Sequence, residues 1–153
     1  MEALGVAASI VGLVTAAGKI IEIVAPFVSS IHDAARIAAP VHAEVINCRI
    51  ILAALQRLVE SLDKAPTISR RAALIQVDDL ISVLMDGVLL FSELESLLLS
   101  FGPGGDGKSI PYRVRIKWVQ NEKTVGAMLV RLQGFKSTTS LVLNIFQWYG
   151  LIL

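Results

Sequence analysis

The chain has 153 residues, which is enough for one domain with a full core. Its formal net charge of +1 excludes an overall electrostatic field that would attract nucleic acid. Apolar residues make up 54% of the chain and charged residues 18%, against about 45–50% and about 25% in ordinary soluble domains. A lone domain of this size would not readily bury so much apolar surface. We therefore expect part of it to meet another subunit, another domain or a lipid surface.

Cysteine content and the first residues indicate a cytosolic protein. The single cysteine, Cys48, excludes an intramolecular disulfide and gives no sign of secretion. The first charge is Glu2 and the first basic residue is Lys19, so the start lacks the basic segment of a signal peptide. No uncharged run reaches the roughly 18 residues expected of a constitutive membrane-spanning helix.

The chain is predicted to fold as an all-α four-helix bundle, a single domain over residues 1–153. Breaks at residues 64–69 and 101–111 and weaker ones at Pro26 and Pro40 separate long segments with apolar residues every three to four positions. That spacing is typical of the seam of a left-handed bundle. The expected helices cover about residues 2–25, 41–63, 70–100 and 112–149, with a short extra helix or a kink near residues 26–40.

Two of the apolar rows carry detailed expectations. In the third helix the predicted row begins with Val77, Ile81, Leu84, Val88 and Phe91, and then shifts phase. In the fourth helix the row includes a polar residue, Asn121, which we expect to fix the register of the bundle.

The N-terminal helix is apolar on every side. Ala3 to Gly18 carry no charge, and 16 helical residues span about 24 Å, which is short of a bilayer core of roughly 30 Å. Continuation past Lys19 to Pro26 would give sufficient length. Small residues recur four positions apart in this helix and would allow close helix–helix approach; they are Gly5, Ala8, Ser9, Gly12 and Ala16. A central helix of a soluble bundle and a helix that enters lipid both remain open on this composition.

A glycine-rich segment satisfies the pattern of a phosphate-binding loop through Gly102, Gly107, Lys108 and Ser109. Such a loop needs a preceding strand and a helix that begins at the Lys-Ser pair. Here a predicted helix precedes the segment, and Pro111 follows two residues after Ser109. We interpret the match as a chance feature of a loop between helices.

No enzyme, cofactor or metal site is predicted. His32 and His42 lie ten residues apart and lack a carboxylate at metal-ligand spacing. Cys48 lies in the apolar row of the second helix and is expected to be a small core residue.

A basic cluster opens the fourth helix. Arg113, Arg115 and Lys117 stand where positive charge opposes the helix dipole, so helix stability does not explain them. Anionic lipid headgroups would be suitable partners. Pairing with Glu122 or with acids of a neighbouring helix is the explanation we favour.

Several segments resemble one family. They are the opening MEALGVAASIVGLVTAAGK, the stretch FSELESLL from Phe91, and the region from Trp118 through RLQGFK to SLVLNIFQ, which ends at Gln147. Together they resemble the fungal N-terminal domain of NLR-like STAND proteins, also named after the azaphilone-pigment cluster protein L. That domain is of the HeLo-like group.

The resemblance implies a membrane-targeting domain that executes programmed cell death or signals for it in a fungal NLR-type immunity system. It implies a protein that is cytoplasmic at rest and moves to the plasma membrane when activated. The implied partners are further copies of the chain, membrane lipids and an NLR-type sensor, and nucleic acid is not among them. Activation in such domains proceeds by oligomerisation and insertion of the N-terminal helix.

Under this hypothesis the membrane-insertion helix acts through Glu2, Leu4, Gly5, Ala8, Gly12, Ala16 and Lys19. Assembly of several helices would bury the small residues and could set Glu2 around the mouth of a pore. The alternative is a non-membrane helical adaptor or oligomerisation domain without toxicity, which has no need for a helix that is apolar on all faces.

Overall fold

A computed structural model describes residues 2–30, 32–62, 77–105 and 109–152. The described residues form five α-helices and no strand, so the predicted all-α fold is confirmed. The helices are α1 (Glu2–Val28), α2 (Asp33–Leu62), α3 (Val77–Phe101), α4 (Tyr112–Gln120) and α5 (Glu122–Ile152).

The four long helices pack as a bundle. α1 and α5 each pack against both α2 and α3, so α1 and α5 lie at opposite corners. α1 runs in the same direction as α3, because Lys19 pairs with Glu95 and Phe27 lies against Gly104. The first helix of the chain is therefore a corner helix with two neighbours and one free side.

The apolar rows of α1 and α2 form the core where these helices meet. In α2 every described member of the predicted row is buried, namely Val41, Val45, Cys48, Leu52, Leu55 and Val59. In α1 the buried residues alternate steps of four and three along the helix: Val6, Ile10, Leu13, Ala17, Ile20, Val24 and Phe27. This regular row positions α1 against its two neighbours.

The predicted core row of α3 is confirmed at Leu84 and Phe91 and wrong at Val88, which is 49% exposed. Leu80 and Gly87 face the core instead. The reason is Gly87, against which the ring of Phe135 lies so closely that a Cβ there would be 2.5 Å from Phe135 Cε2. Sequence periodicity counts glycine as a gap, but here the missing side chain makes room for an aromatic ring.

Helix boundaries differ from the prediction at both prolines. α1 continues through Pro26 to Val28, and α2 begins at Asp33 and continues through Pro40. The break expected near residues 26–40 is therefore the connection between Val28 and Asp33. At the end of α1 the hydroxyl and the backbone N–H of Ser30 both donate to the carbonyl of Phe27, at 2.8 and 3.2 Å, and satisfy one of the acceptors at the helix end.

The predicted fourth helix is divided at Asn121. The Asn121 side chain donates to the carbonyl of Lys117, its backbone N–H also bonds there, and the residue caps the end of α4. The prediction that Asn121 fixes the register of a continuous helix is wrong, because its side-chain amide bonds to the Lys117 carbonyl in the preceding turn of the chain.

The short helix α4 covers one end of the bundle. Its Trp118 is fully buried, with ring centroids 4.9 Å from Phe27 of α1 and 5.0 Å from Phe101 of α3. These three aromatic residues join the C-terminal ends of α1 and α3.

Candidate membrane-insertion helix

α1 has a buried face and an exposed face of different character. Opposite the buried row, the exposed residues include Gly5, Ala8, Gly12 and Thr15, while Ala16 is partly buried at the edge. A Cβ added at Gly5 or Gly12 would have no atom within 4 Å in the described structure. Of the five small residues predicted to allow close helix–helix approach, Gly5, Ala8 and Gly12 therefore lie on the free side of α1, whereas Ser9 and Ala16 are partly buried.

This placement gives α1 one face covered by the bundle and one open face. A fully buried central helix would have its small residues against a neighbour, but α1 is a corner helix whose ridge faces outward. We define the ridge as Gly5, Ala8 and Gly12, which are exposed. Most large side chains of α1 hold it in the bundle, and Val11, which is 47% exposed, lies on the open side with the ridge.

Length and composition place two helices within the range of a membrane span, Gly5–Val28 of α1 and Asp33–Ser61 of α2. The 24 residues of the first segment cover about 36 Å, more than a bilayer core of roughly 30 Å. Core helices of soluble proteins pass the same criteria, so this finding alone does not choose between lipid and protein surroundings. The orientation of the faces is the more specific observation.

α1 carries no charge between Ala3 and Gly18, and Lys19 and Glu22 follow in its second half. Lys19 is exposed, and its Nζ pairs with Glu95 Oε1 of α3 at 2.6 Å. An exposed ion pair of this kind holds α1 weakly, by about 0–1 kcal/mol. The side chains of Glu2 and Leu4 lie outside the described part of the structure, although both residues belong to α1.

The three basic residues of α4 have separate surroundings. Arg113 is exposed. The Arg115 guanidinium lies 3.1 Å from His32 Nδ1 and over the Tyr112 ring, and Lys117 donates to the carbonyl of Ser100 at 3.1 Å. Lys117 thus stabilises the C-terminal end of α3, where positive charge is favourable.

Glu122 does not pair with this cluster. It accepts a hydrogen bond of 2.7 Å from Arg36 of α2, and that bond and charge hold the pKa of Glu122 below its ordinary value. The favoured explanation of the cluster is therefore wrong for Glu122. Two of the cluster's three cations instead join α4 to the corner before α2 and to the end of α3.

The segment that matches a phosphate-loop pattern follows helix α3, as the sequence predicted. α3 ends at Phe101, the chain turns at Gly102 with φ of 102° and at Gly105 with φ of 60°, and α4 begins only at Tyr112. Ser109 is exposed, while Gly107 and Lys108 lie outside the described residues. A helix that begins at the Lys-Ser pair, which phosphate binding requires, is not formed at Ser109.

Cys48 and the histidines have no shared site. Cys48 is buried, its Sγ faces the carbonyl of Leu132, and burial raises the pKa of its thiol to about 12. His32 lies beside Arg115, whereas His42 lies in the middle of α2. Among the described residues no three histidine, cysteine or acidic side chains group in a way that could hold a metal.

The sequence did not predict which apolar side chains of α3 and α5 would be exposed. Met85, Val88 and Leu89 of α3 are 49–67% exposed, and Val130 of α5 is 66% exposed. A cavity of about 350 Å³ between the two helices is lined by Leu89, Leu90, Arg131, Gly134 and Phe135 among others. Val88 and Leu89 follow Gly87 directly in the sequence. The sequence pattern assigned Val88 to the core because it did not assign Gly87 there.

No known protein family, no curated protein and no solved structure matches this chain. The resemblance to the HeLo-like group therefore depends on the quoted residues alone, and the functional argument depends on the geometry of α1.

Proposed function

We propose that this chain is a HeLo-like membrane-targeting domain that executes or signals programmed cell death by releasing α1 into a lipid bilayer. The observation that carries the proposal is the arrangement of α1 as a corner helix. Its small-residue ridge faces outward, and its large apolar residues hold it to α2 and α3. Such a helix can leave without dismantling the packing of α5 against α2 and α3.

The energetics of release favour a lipid destination over water. Seven buried residues hold α1, and each larger side chain contributes about 1.5–3 kcal/mol through burial. Release into water would lose that contribution, whereas a bilayer core buries the same side chains again. The resting bundle is therefore stable in the cytoplasm, and the plasma membrane is the surface that offsets the cost of release.

The ridge supplies a reason for oligomerisation after insertion. Close approach between helices in lipid requires small side chains at the contact, because packing and not the hydrophobic effect drives association there. Gly5, Ala8 and Gly12 lie on one face of α1 and meet this requirement. Copies of α1 that associate through the ridge would bring Glu2 of each copy to one side of the bilayer.

The test compares one substitution at two glycines. Gly12→Asp in α1 and Gly126→Asp in α5 both place a carboxylate at an exposed helical position with no atom within 4 Å. Both variants should therefore fold with stability close to the parent. A charge within an inserted helix costs about 2.5–3.5 kcal/mol, so Gly12→Asp should reduce insertion about a hundredfold.

The measurement is dye release from vesicles of phosphatidylcholine and phosphatidylserine, with membrane fractionation alongside. The parent and Gly126→Asp should release dye, and Gly12→Asp and a deletion of residues 1–20 should not. Equal release from all four proteins would contradict insertion of α1.

A helical adaptor that binds only protein is the second candidate. The exposed residues Met85, Leu89 and Val130 favour it, because exposed apolar side chains on α3 and α5 have no function in α1 insertion. A defined monomer or dimer in detergent-free size-exclusion chromatography that ignores anionic vesicles would support the adaptor and exclude the membrane function.

A further inference from the structure

The C-terminal end of α1 is held differently from the rest of the helix. Phe27 is 1% exposed and contacts the ring of Trp118, and the backbone of Gly104 lies against Pro26 and Phe27. We propose that these contacts form an anchor from which α1 detaches starting at its N-terminus, with the loop residue Gly104 controlling how firmly the helix is held. We define the α1 anchor as Phe27, Gly104 and Trp118. The proposal rests on the proposed release of α1 and adds the site that regulates it.

The approach of the loop to α1 depends on glycine. A Cβ at Gly104 would lie 2.9 Å from Pro26 Cβ and 3.0 Å from Phe27 Cζ, closer than carbon atoms pack without displacement. The turn that brings Gly104 there uses positive φ at Gly102 and Gly105, a conformation that favours glycine on both sides. Gly102, Gly104 and Gly105 of this segment are thus explained by the turn that brings the chain against α1.

The anchor also has a hinge beside it. Pro26 lacks a backbone N–H, so the carbonyl of Glu22 loses its helical hydrogen bond within α1. Helices bend most readily at such positions. α1 before Pro26 can therefore change direction while Phe27 stays fixed between Gly104 and Trp118.

The N-terminal part of α1 is held by helix packing, far from the loop. Up to Ile20 it is held by its buried row, in which Ile10, Leu13 and Ile20 are at most 1% exposed, and by the exposed pair of Lys19 and Glu95. The contact with Gly104 lies at the other end of the helix, at Pro26 and Phe27. Ends of helices open first unless a specific contact holds them. The chain thus combines a start held by its packing on α2 and α3, a hinge at Pro26 and an end that also contacts the loop and Trp118.

The experiment is segment-resolved hydrogen exchange of the full chain in water, with no lipid present. Gly104→Ala should speed exchange in residues 5–24 about tenfold while α5 changes less than twofold, because the added methyl group displaces Phe27. The matched control is Gly126→Ala, which adds the same methyl group in open space and should leave α1 unchanged. No change in α1, or equal acceleration in all helices, would overturn the proposal.

Phe27→Leu provides a second route if Gly104→Ala does not fold. It removes the contact with Trp118 and should also loosen α1 selectively. In the double variant the smaller leucine makes room for the methyl group added at position 104, so the combined acceleration should be less than the product of the two single effects. If the double variant accelerated exchange by the full product of the two single effects, positions 27 and 104 would not be in direct contact.

Vesicle leakage separates this inference from the proposed function. Faster exchange of α1 in Gly104→Ala without greater dye release would support the anchor and contradict the membrane function. Greater dye release without faster exchange of α1 would overturn the anchor and leave the membrane function standing.

Discussion

Replacing Gly87 with alanine brings helix propensity and core packing into direct conflict. Propensity alone predicts stabilisation by about 1 kcal/mol, because alanine is the best helix former and glycine a poor one. The structure predicts the opposite, since the new Cβ would lie 2.5 Å from Cε2 and 2.7 Å from Cζ of Phe135. The ring is 8% exposed and packs edge-on against Phe91 with centroids 5.7 Å apart, so a shift that admits the new Cβ would disturb this contact.

Overpacking of this kind typically costs about 1–3 kcal/mol, so after a gain of about 1 kcal/mol in propensity we expect a net loss of up to about 2 kcal/mol. For a chain of this size that corresponds to a melting temperature lower by up to about 8 °C. Urea unfolding followed by circular dichroism measures the free energy of unfolding directly. Gly126→Ala is the control and should gain about 0.5–1 kcal/mol, because its Cβ meets nothing. Equal gains in both variants would refute the packing of Phe135 on Gly87.

Two further predictions concern α1 and the buried thiol. Ile10→Ala should lower the free energy of unfolding by about 2–5 kcal/mol, because Ile10 is fully buried. Val11→Ala, at a position 47% exposed, should change it by less than about 1 kcal/mol. Similar losses for the two variants in urea unfolding would contradict the assigned faces of α1. Cys48 should resist maleimide at pH 7.5 until urea unfolds the chain, because a pKa near 12 leaves almost no thiolate. The folded chain holds this proton more tightly than the unfolded chain does. The free energy of unfolding should therefore fall as pH rises from about 8.5 toward 12. If the contribution of the Cys48 thiol to that free energy did not change across this interval, the burial of Cys48 would be contradicted.

Much of the fold follows from local sequence. The steps of three and four in α2 place one row of apolar residues on one side of the helix. The described members of this row are all buried: Val41, Val45, Cys48, Leu52, Leu55 and Val59. The glycine-rich segment after Phe101 ends a helix because it favours turns. These features depend on residues near each other in the chain, so the sequence is enough to predict them.

The boundaries and the α3 core row depended on contacts with distant residues. Pro26 and Pro40 lie inside helices because packing on both sides outweighs one lost hydrogen bond at each. Gly87 is in the core because Phe135, far along the chain in α5, fills the space above it. A pattern that reads only apolar side chains gives glycine no weight, and it therefore assigned Val88 to the core.

For the candidate site, the sequence determined the composition of α1: an uncharged run from Ala3 to Gly18 with small residues at four-residue spacing. Composition leaves the helix equally suited to a protein core and to lipid, because both are apolar surroundings. Only the tertiary structure decided which side of α1 is free. The large residues from Val6 to Phe27 hold α1 to its neighbours and leave the ridge exposed, and the direction of the ridge is set by those neighbours and not by α1 itself.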